Sequence, residues 1–212
     1  FMTLDPSTPA AETLQYLKQP YGELPWLINA HAANQPDLVA LDDGEEQLTW
    51  GQTASLVKRI AAQLQAEGLQ KGQAVSILGT TIRHALVYLG AIAAGGCAAP
   101  LTTSATPRQL AAMMTDSGAG HLFIDHAKRA ELADSGVTLP VLKHVMMDAP
   151  DDSDGAPFLF DWMAEEGATP RDVETGPNDP YNIIYSSGTT GTPKGIVHSR
   201  QMRWHQMAVG EE

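Results

Sequence analysis

The sequence predicts an α/β fold in which a parallel-rich sheet is covered by helices. Two observations carry that expectation. Apolar strand-type runs alternate with helical periodicities at the spacing of βαβ units, whose crossovers make neighbouring strands parallel. The strand runs are also continuous instead of alternating, as in Ala74-Val75-Ser76-Ile77-Leu78, which suits strands buried on both faces. With 212 residues, 43% hydrophobic and 18% charged, the chain can bury the core of one large α/β domain or two small ones.

The elements follow in order. The first stretch is rich in Pro and Thr, with a short helix expected from Ala11 to Lys18. Leu27 to Asn34 suits a second helix, and Leu38 to Leu41 a strand turned at Asp42-Asp43-Gly44. Thr49 opens the clearest helix, as an N-cap residue with Gln52 at the capping-box spacing. Leu56, Ile60 and Leu64 then recur at helical spacing, Val57 and Ala61 widen the apolar face, and Gly68 is a natural stop. Ala74 to Leu78 is a strand, Ile82 to Ala94 an apolar helix and Gly96 to Leu101 a buried strand. Thr106-Pro107 is an N-cap followed by proline at the first helical position, opening a helix through Thr115 that Gly118 stops. His121 to Asp125 is expected as strand, Ala127 to Asp134 as helix and Val141 to Met146 as strand. From Ala149 to Pro180 the composition turns to Asp, Glu, Gly and Pro, as in a linker or surface excursion, with a short helix expected at Phe158 to Glu166. Tyr181 to Tyr185 restores a strand. The expected organisation is an α/β subdomain over 1–148, a linker over 149–180, and a strand with a glycine-rich loop over 181–212.

Bulk properties exclude several classes. The formal net charge of −12 argues against nucleic acid or an anionic membrane as main partner, since either would require a basic face. Cys97 is the only cysteine, so neither an intrachain disulfide nor a cysteine-based metal site can form, and a cytoplasmic setting is expected. The N-terminus lacks a signal-peptide pattern. His84 to Pro107 contains no Asp, Glu, Lys or Arg, but its glycines, Pro100 and many alanines fit a buried helix and strand better than a membrane span.

The chemistry sits at Tyr185-Ser186-Ser187-Gly188-Thr189-Thr190-Gly191-Thr192-Pro193-Lys194-Gly195. Gly188 and Gly191 let the backbone turn tightly and bring its N–H groups close to a ligand. The hydroxyls of Ser186, Ser187, Thr189, Thr190 and Thr192 can donate to phosphate oxygens, and Lys194 adds a point positive charge. Hydrogen bonds to a charged group contribute roughly 1.5–3 kcal/mol each, so a few such donors can hold a triphosphate tail. A Walker A loop is excluded, because Gly188 is followed at the required distance by Pro193, and Lys194 by Gly195. A plain Gly/Ser/Thr linker would not follow an apolar strand directly and end in Pro-Lys-Gly before apolar Ile196-Val197.

This segment resembles the signature loop of the adenylate-forming superfamily: acyl-CoA synthetases, peptide-synthetase adenylation domains and luciferases. The family pattern is a hydrophobic strand followed by Ser/Thr-Ser-Gly-Thr/Ser-Thr-Gly-x-Pro-Lys-Gly, and every position is met. Weaker similarity runs upstream. Leu48-Thr49-Trp50 resembles the family's Leu-Thr-Tyr helix start. Gly68 to Val75 resembles its Gly-x-x-x-Gly-Asp-x-Val turn, with Gln73 where Asp is usual, and Ala91 to Leu101 its Ala-x-x-x-Ala-Gly-x-x-x-x-Pro-Leu segment.

The resemblance implies a two-step, AMP-forming ligase. A carboxylate attacks the ATP α-phosphorus, giving an acyl-adenylate and pyrophosphate, and a thiol, usually of coenzyme A, then takes the acyl group. It implies ATP, Mg²⁺ and coenzyme A as requirements and the fold of an N-terminal part of a large domain. By the resemblance, Ser186, Ser187, Thr189, Thr190 and Thr192 are phosphate ligands, Gly188 and Gly191 backbone donors, and Lys194 a clamp on the pyrophosphate. Family members are much longer, so catalytic residues are expected beyond Glu212, with the remaining C-terminal part as partner and this stretch inactive alone. An adenylation domain loading an aryl or amino acid onto a carrier protein is the alternative within the class, and a non-catalytic nucleotide-binding module the alternative outside it.

Other residues have plainer readings. Asp152, Asp154 and Gly155 resemble a calcium loop, but the alignment puts Pro150 first and Asp161 last, so a solvated acidic loop is expected and no metal site. His198, Trp204 and His205 suit either a ligand site or a helix surface. Ser187 lacks a nucleophile elbow and is expected as a phosphate donor. Met113-Met114 and Met146-Met147 are expected to fill the core.

Overall fold

The computed structural model describes residues 10–140, 142–150, 155–186 and 194–208. In chain order these form α1 (Ala10–Leu17), α2 (Leu24–Asn34), β1 (Val39–Asp42), β2 (Gln47–Thr49), α3 (Trp50–Ala66), β3 (Ala74–Leu78), α4 (Ile82–Ala93) and β4 (Cys97–Pro100). They continue with α5 (Pro107–Ser117), β5 (His121–Ile124), α6 (His126–Asp134), β6 (Lys143–Met146), α7 (Leu159–Trp162), β7 (Pro180–Ser186), β8 (Lys194–Ser199) and α8 (Arg200–Ala208).

One six-stranded sheet has the order β6-β5-β3-β4-β7-β8, and β1 and β2 make a separate antiparallel pair. Every pairing from β6 to β7 is parallel, and only β8 runs antiparallel, beside β7. This is the expected α/β architecture with a mixed, mostly parallel sheet flanked by helices. The continuous apolar runs have the expected cause: all five residues of β3 and all four of β5 are buried. Their side chains point alternately to the two faces. Val75, Ile77 and Phe123 join a cluster with α3 and α4 residues, including Ile60, Leu64 and Leu86. Leu78, Leu122 and Ile124 join a second one with Leu110, Met113 and Met114 of α5 and Leu132 of α6. Met113, Met114, Met146 and Met147 are all buried, as core filler should be.

The helix starts follow the sequence signals. Thr49 and Thr106 both form reciprocal capping boxes, with Gln52 and Gln109. Gly118 ends α5 at φ 62°, a left-handed conformation in which a Cβ would be strained. Three segments depart from expectation. Gln47–Thr49 and Lys194–Ser199 are strands that the sequence did not suggest, and the helix expected at Phe158 to Glu166 shrinks to Leu159–Trp162. No helix among the described residues is long and apolar enough to cross a membrane.

Opposite the C-terminal ends of the parallel strands lies a polar hub. The Glu67 carboxylate, at the end of α3, accepts from His121 Nε2 (2.7 Å), Trp162 Nε1 (3.0 Å), Lys143 Nζ (3.2 Å) and Gln63 Nε2 (3.3 Å). Burial pushes its pKa up, but these four donors outweigh burial and leave it below the ordinary glutamate value. A depressed carboxylate stabilises the fold above its unfolded pKa, and that contribution is lost as pH falls through the folded value. Glu67→Gln is therefore expected to lower the urea midpoint at pH 7, with the gap from wild type narrowing below about pH 4. An equal gap at pH 3 and pH 7 would show that the charge is not what the donors hold.

Candidate phosphate-binding site

β7 and β8 are the two arms of a hairpin whose tip is the glycine-threonine segment. The register pairs Ser186 with Lys194, Tyr185 with Gly195, Ile184 with Ile196 and Ile183 with Val197. Of the expected phosphate ligands, Ser186 and Lys194 therefore sit directly opposite each other, both exposed. Ser187, Gly188, Thr189, Thr190, Gly191 and Thr192 lie outside the described residues. β7 is parallel to β4, so Ser186 ends at the same edge of the sheet as Leu78, Pro100, Ile124 and Met146. In open α/β sheets ligands bind outside that edge. A hydroxyl and an ammonium at the mouth of such a loop match the donor chemistry that a polyphosphate needs.

The hairpin is fastened to α5. Tyr185 Oη donates to the Met113 carbonyl (2.9 Å) and lies 3.0 Å from Asp116 Oδ2. Burial first, and then the Asp116 carboxylate, push the Tyr185 phenol above its ordinary pKa, so it stays a neutral donor. Gly195 passes so close to α5 that a methyl group there would meet Asp116 Oδ2 at 2.9 Å and Ile183 at 3.0 Å. The glycine of Pro-Lys-Gly thus also serves a packing need. Asn182, 1% exposed on β7, takes Arg203 Nε at 3.0 Å and His198 Nδ1 at 3.2 Å on its side-chain oxygen. Burial first, then Arg203, lower the His198 pKa.

Trp204 and His205 both meet the N-terminal segment. Trp204 is fully buried beside Tyr16 and Trp26, and its Nε1–H donates to the Gln19 carbonyl (2.8 Å). His205 Nε2 lies 3.1 Å from the Pro20 carbonyl. Both anchor α8 to the N-terminal segment, a contact 185 residues apart that no local pattern announces. On the α4 and α8 side, a cavity of about 340 Å³ is lined by Tyr88, Tyr181, Asn182, Ile184, Arg203 and Met207.

A second polar group lies where the strand order reverses, between β3 and β5. Asp125 follows β5 with Oδ1 buried and unpaired among the described residues. Burial, then neighbouring Asp148, raise its pKa, partly offset by the Thr80 amide, His84 and Arg83. Asp148 instead falls below the ordinary value, because His126, bonded at 2.9 Å, outweighs its burial. Sequence reasoning had assigned this aspartate pair no part, since its members come from two strand ends. Among the described residues, no three His, Cys, Asp or Glu side chains are grouped to hold a metal ion. Asp152 and Asp154 lie outside the described residues. Cys97 is buried, and burial pushes its thiol pKa up to about 11.

Comparison with known proteins points the same way. The sequence pattern of the family described as "AMP-binding enzyme" matches residues 28–210. An indoleacetate–CoA ligase of Aromatoleum aromaticum is 31% identical over 84% of this chain and 35% of its own length. Phosphinothricin tripeptide synthetase PhsB of Streptomyces viridochromogenes is 32% identical over 87% of this chain, which covers 15% of that protein. The fold is similar to that of the anthranilate CoA ligase AuaEII, solved with anthranoyl-AMP, at a TM-score of 0.77 and 22% identity, over 86% of this chain and 36% of that one. The chain thus spans only about a third or less of the length of these relatives.

If Tyr185 ties the hairpin to α5, Tyr185→Phe should cost about 1 kcal/mol of unfolding free energy, as for one buried hydrogen bond. Urea denaturation measures it, and an unchanged midpoint would remove Tyr185 as an anchor.

Proposed function

The chain belongs to the AMP-binding enzyme family, and on that footing we propose that it supplies the phosphate grip of an AMP-forming acyl-CoA ligase. The reaction joins a carboxylate to the α-phosphorus of ATP, with pyrophosphate leaving, and then transfers the acyl group from AMP to the thiol of coenzyme A. The observation that carries this reading is the Ser186–Lys194 pair across the hairpin, at the ligand-binding edge of the sheet and flanking the signature loop.

In this reading, the side chains and amides of Ser186 to Thr192 orient the β- and γ-phosphates, and Lys194 holds its charge against the departing pyrophosphate. Fixed donors of this kind lower the barrier because they need no reorganisation while charge develops on the leaving group. Phosphoryl-type chemistry asks mostly for such positioning and charge stabilisation. Mg²⁺, when bound, would neutralise triphosphate charge. The cavity between α4 and α8 offers aromatic walls and one guanidinium to a carboxylic acid. The groups that recognise adenine and complete the acyl pocket belong, in this reading, to the part of the protein after residue 212. The 1–148 and 181–212 stretches would then be parts of one larger domain, working in the cytoplasm.

Similarity to a peptide synthetase supports a second reading, in which the acceptor is the thiol of a carrier protein.

ATP–pyrophosphate exchange by the full-length protein against a panel of aliphatic and aromatic acids tests both. At least one acid should drive exchange, and failure of all of them would count against the ligase. Release of AMP on adding coenzyme A separates the two acceptors. Lys194→Ala should lower kcat/KM for ATP by about ten- to a hundredfold, the scale of one lost bond to a charged group. Its KM for the acid should hold; equal losses in both would contradict the clamp.

A further inference from the structure

The trailing arm of the hairpin is held along its length by one neighbouring strand. Among the described residues β8 pairs only with β7, and its central side chains Ile196 and Val197 are 50% and 58% exposed. Its register is set by β7, and its close contacts beyond the sheet lie at its two ends. One end is Gly195 against Asp116. The other is Arg200, the first residue of α8 and only 3% exposed.

Arg200 makes an unusual set of bonds. Its backbone N–H donates to the Asp179 carbonyl (2.9 Å), returning the chain to the start of β7. One guanidinium nitrogen donates to Glu23 Oε2 (2.7 Å). The other reaches the carbonyls of Ile92 (3.2 Å) and Gly96 (3.3 Å), at the last turn of α4 and just before β4. The Ile92 carbonyl belongs to the negative end of a helix, where a cation is favoured. Glu23 is itself held, accepting from Thr175 Oγ1 (2.7 Å) and from Tyr21 Oη. The bonds leave from two nitrogens of one planar fork, a spread that the single nitrogen of an ammonium does not offer.

We propose that the Glu23–Arg200 pair is a positioning element for β8 and for Lys194 at its start. It fixes where β8 leaves the sheet, and so how Lys194, at the other end of that six-residue strand, meets the triphosphate. Glu23, 177 residues before Arg200, would then act on ATP without touching it. The functional half of the proposal rests on the ligase reading.

The test compares Glu23→Gln and Arg200→Lys with Glu67→Gln in the full-length protein. Glu67 is a comparable carboxylate hub, but beside β5 and β6, several strands away from β8, so its loss reports general destabilisation. Hydrogen exchange of the Gly195 to Ser199 amides is the first readout. Glu23→Gln should speed it about tenfold, the equilibrium scale of one charge-assisted hydrogen bond, while Glu67→Gln leaves it within about twofold. The second readout is the KM for ATP in pyrophosphate exchange, expected to rise by a similar factor with the KM for the acid unchanged. Arg200→Lys keeps the charge but not the fork, and should show the same pattern in smaller measure. Unchanged β8 exchange in Glu23→Gln, or equal effects in Glu67→Gln, would overturn the proposal. So would faster β8 exchange with both KM values moving together. If the wild-type protein activates no acid, the ligase reading fails, and the exchange rates alone still decide whether the pair positions the strand. If Glu23→Gln fails to fold, the same readouts in Arg200→Lys decide.

Discussion

Covering a parallel sheet on both faces leaves no position along its central strands for a side chain that needs water, and the rest of this molecule follows from that constraint. In β3 every residue is buried, and its one polar member, Ser76, has only the Ser117 hydroxyl near it, at 3.5 Å. Polar and charged groups are driven to the strand ends. At one edge His121 and Lys143 open β5 and β6 and meet Glu67. At the other edge lie Asp125, Asp148, Ser186 and Lys194, on the side where ligands bind in open α/β sheets. The segregation of structural charge to one edge and chemical groups to the other is a product of the sheet, before any particular ligand is considered.

Much of this was legible. The helices and strands from α3 to β6, both threonine caps and the Gly118 stop follow local signals, because each depends on neighbours within a turn or two of the chain. The family was legible for a different reason: a dense run of glycines and hydroxyls after an apolar strand has few other uses, and the AMP-binding enzyme pattern matches residues 28–210. β8 was missed because its residues are neither buried on both faces nor regularly alternating, and its strand character comes from pairing with β7. Trp204 could not be placed from its surroundings in sequence, since its partners Tyr16 and Trp26 lie far back in the chain. Glu23 and Arg200 carried no local signature for the same reason. Partners brought together only by the finished fold leave no periodicity to read.

The charge distribution adds a further point. The chain is acidic overall, at −12, yet Lys194, Arg200 and Arg203 fall within ten residues of one another around the hairpin. These cations are not equivalent. The Arg200 charge is neutralised by Glu23, whereas Arg203 is bonded to neutral acceptors, Asn182 and Gln206, and keeps its field. An acidic protein can in this way present a locally favourable potential to an anion without a broadly basic surface.

β8 also bears on how the polypeptide behaves before it is complete. A strand at the rim of a sheet, with Ile196 and Val197 turned to solvent, is a template onto which another extended chain can hydrogen-bond. Charged residues such as Lys194 at its start and Arg200 just after it are of the kind that discourage such pairing, but Arg200 is turned inward. A nascent or truncated molecule would therefore show a sticky rim at β8. The same looseness that lets a strand wait for its proper neighbour invites association with the wrong one.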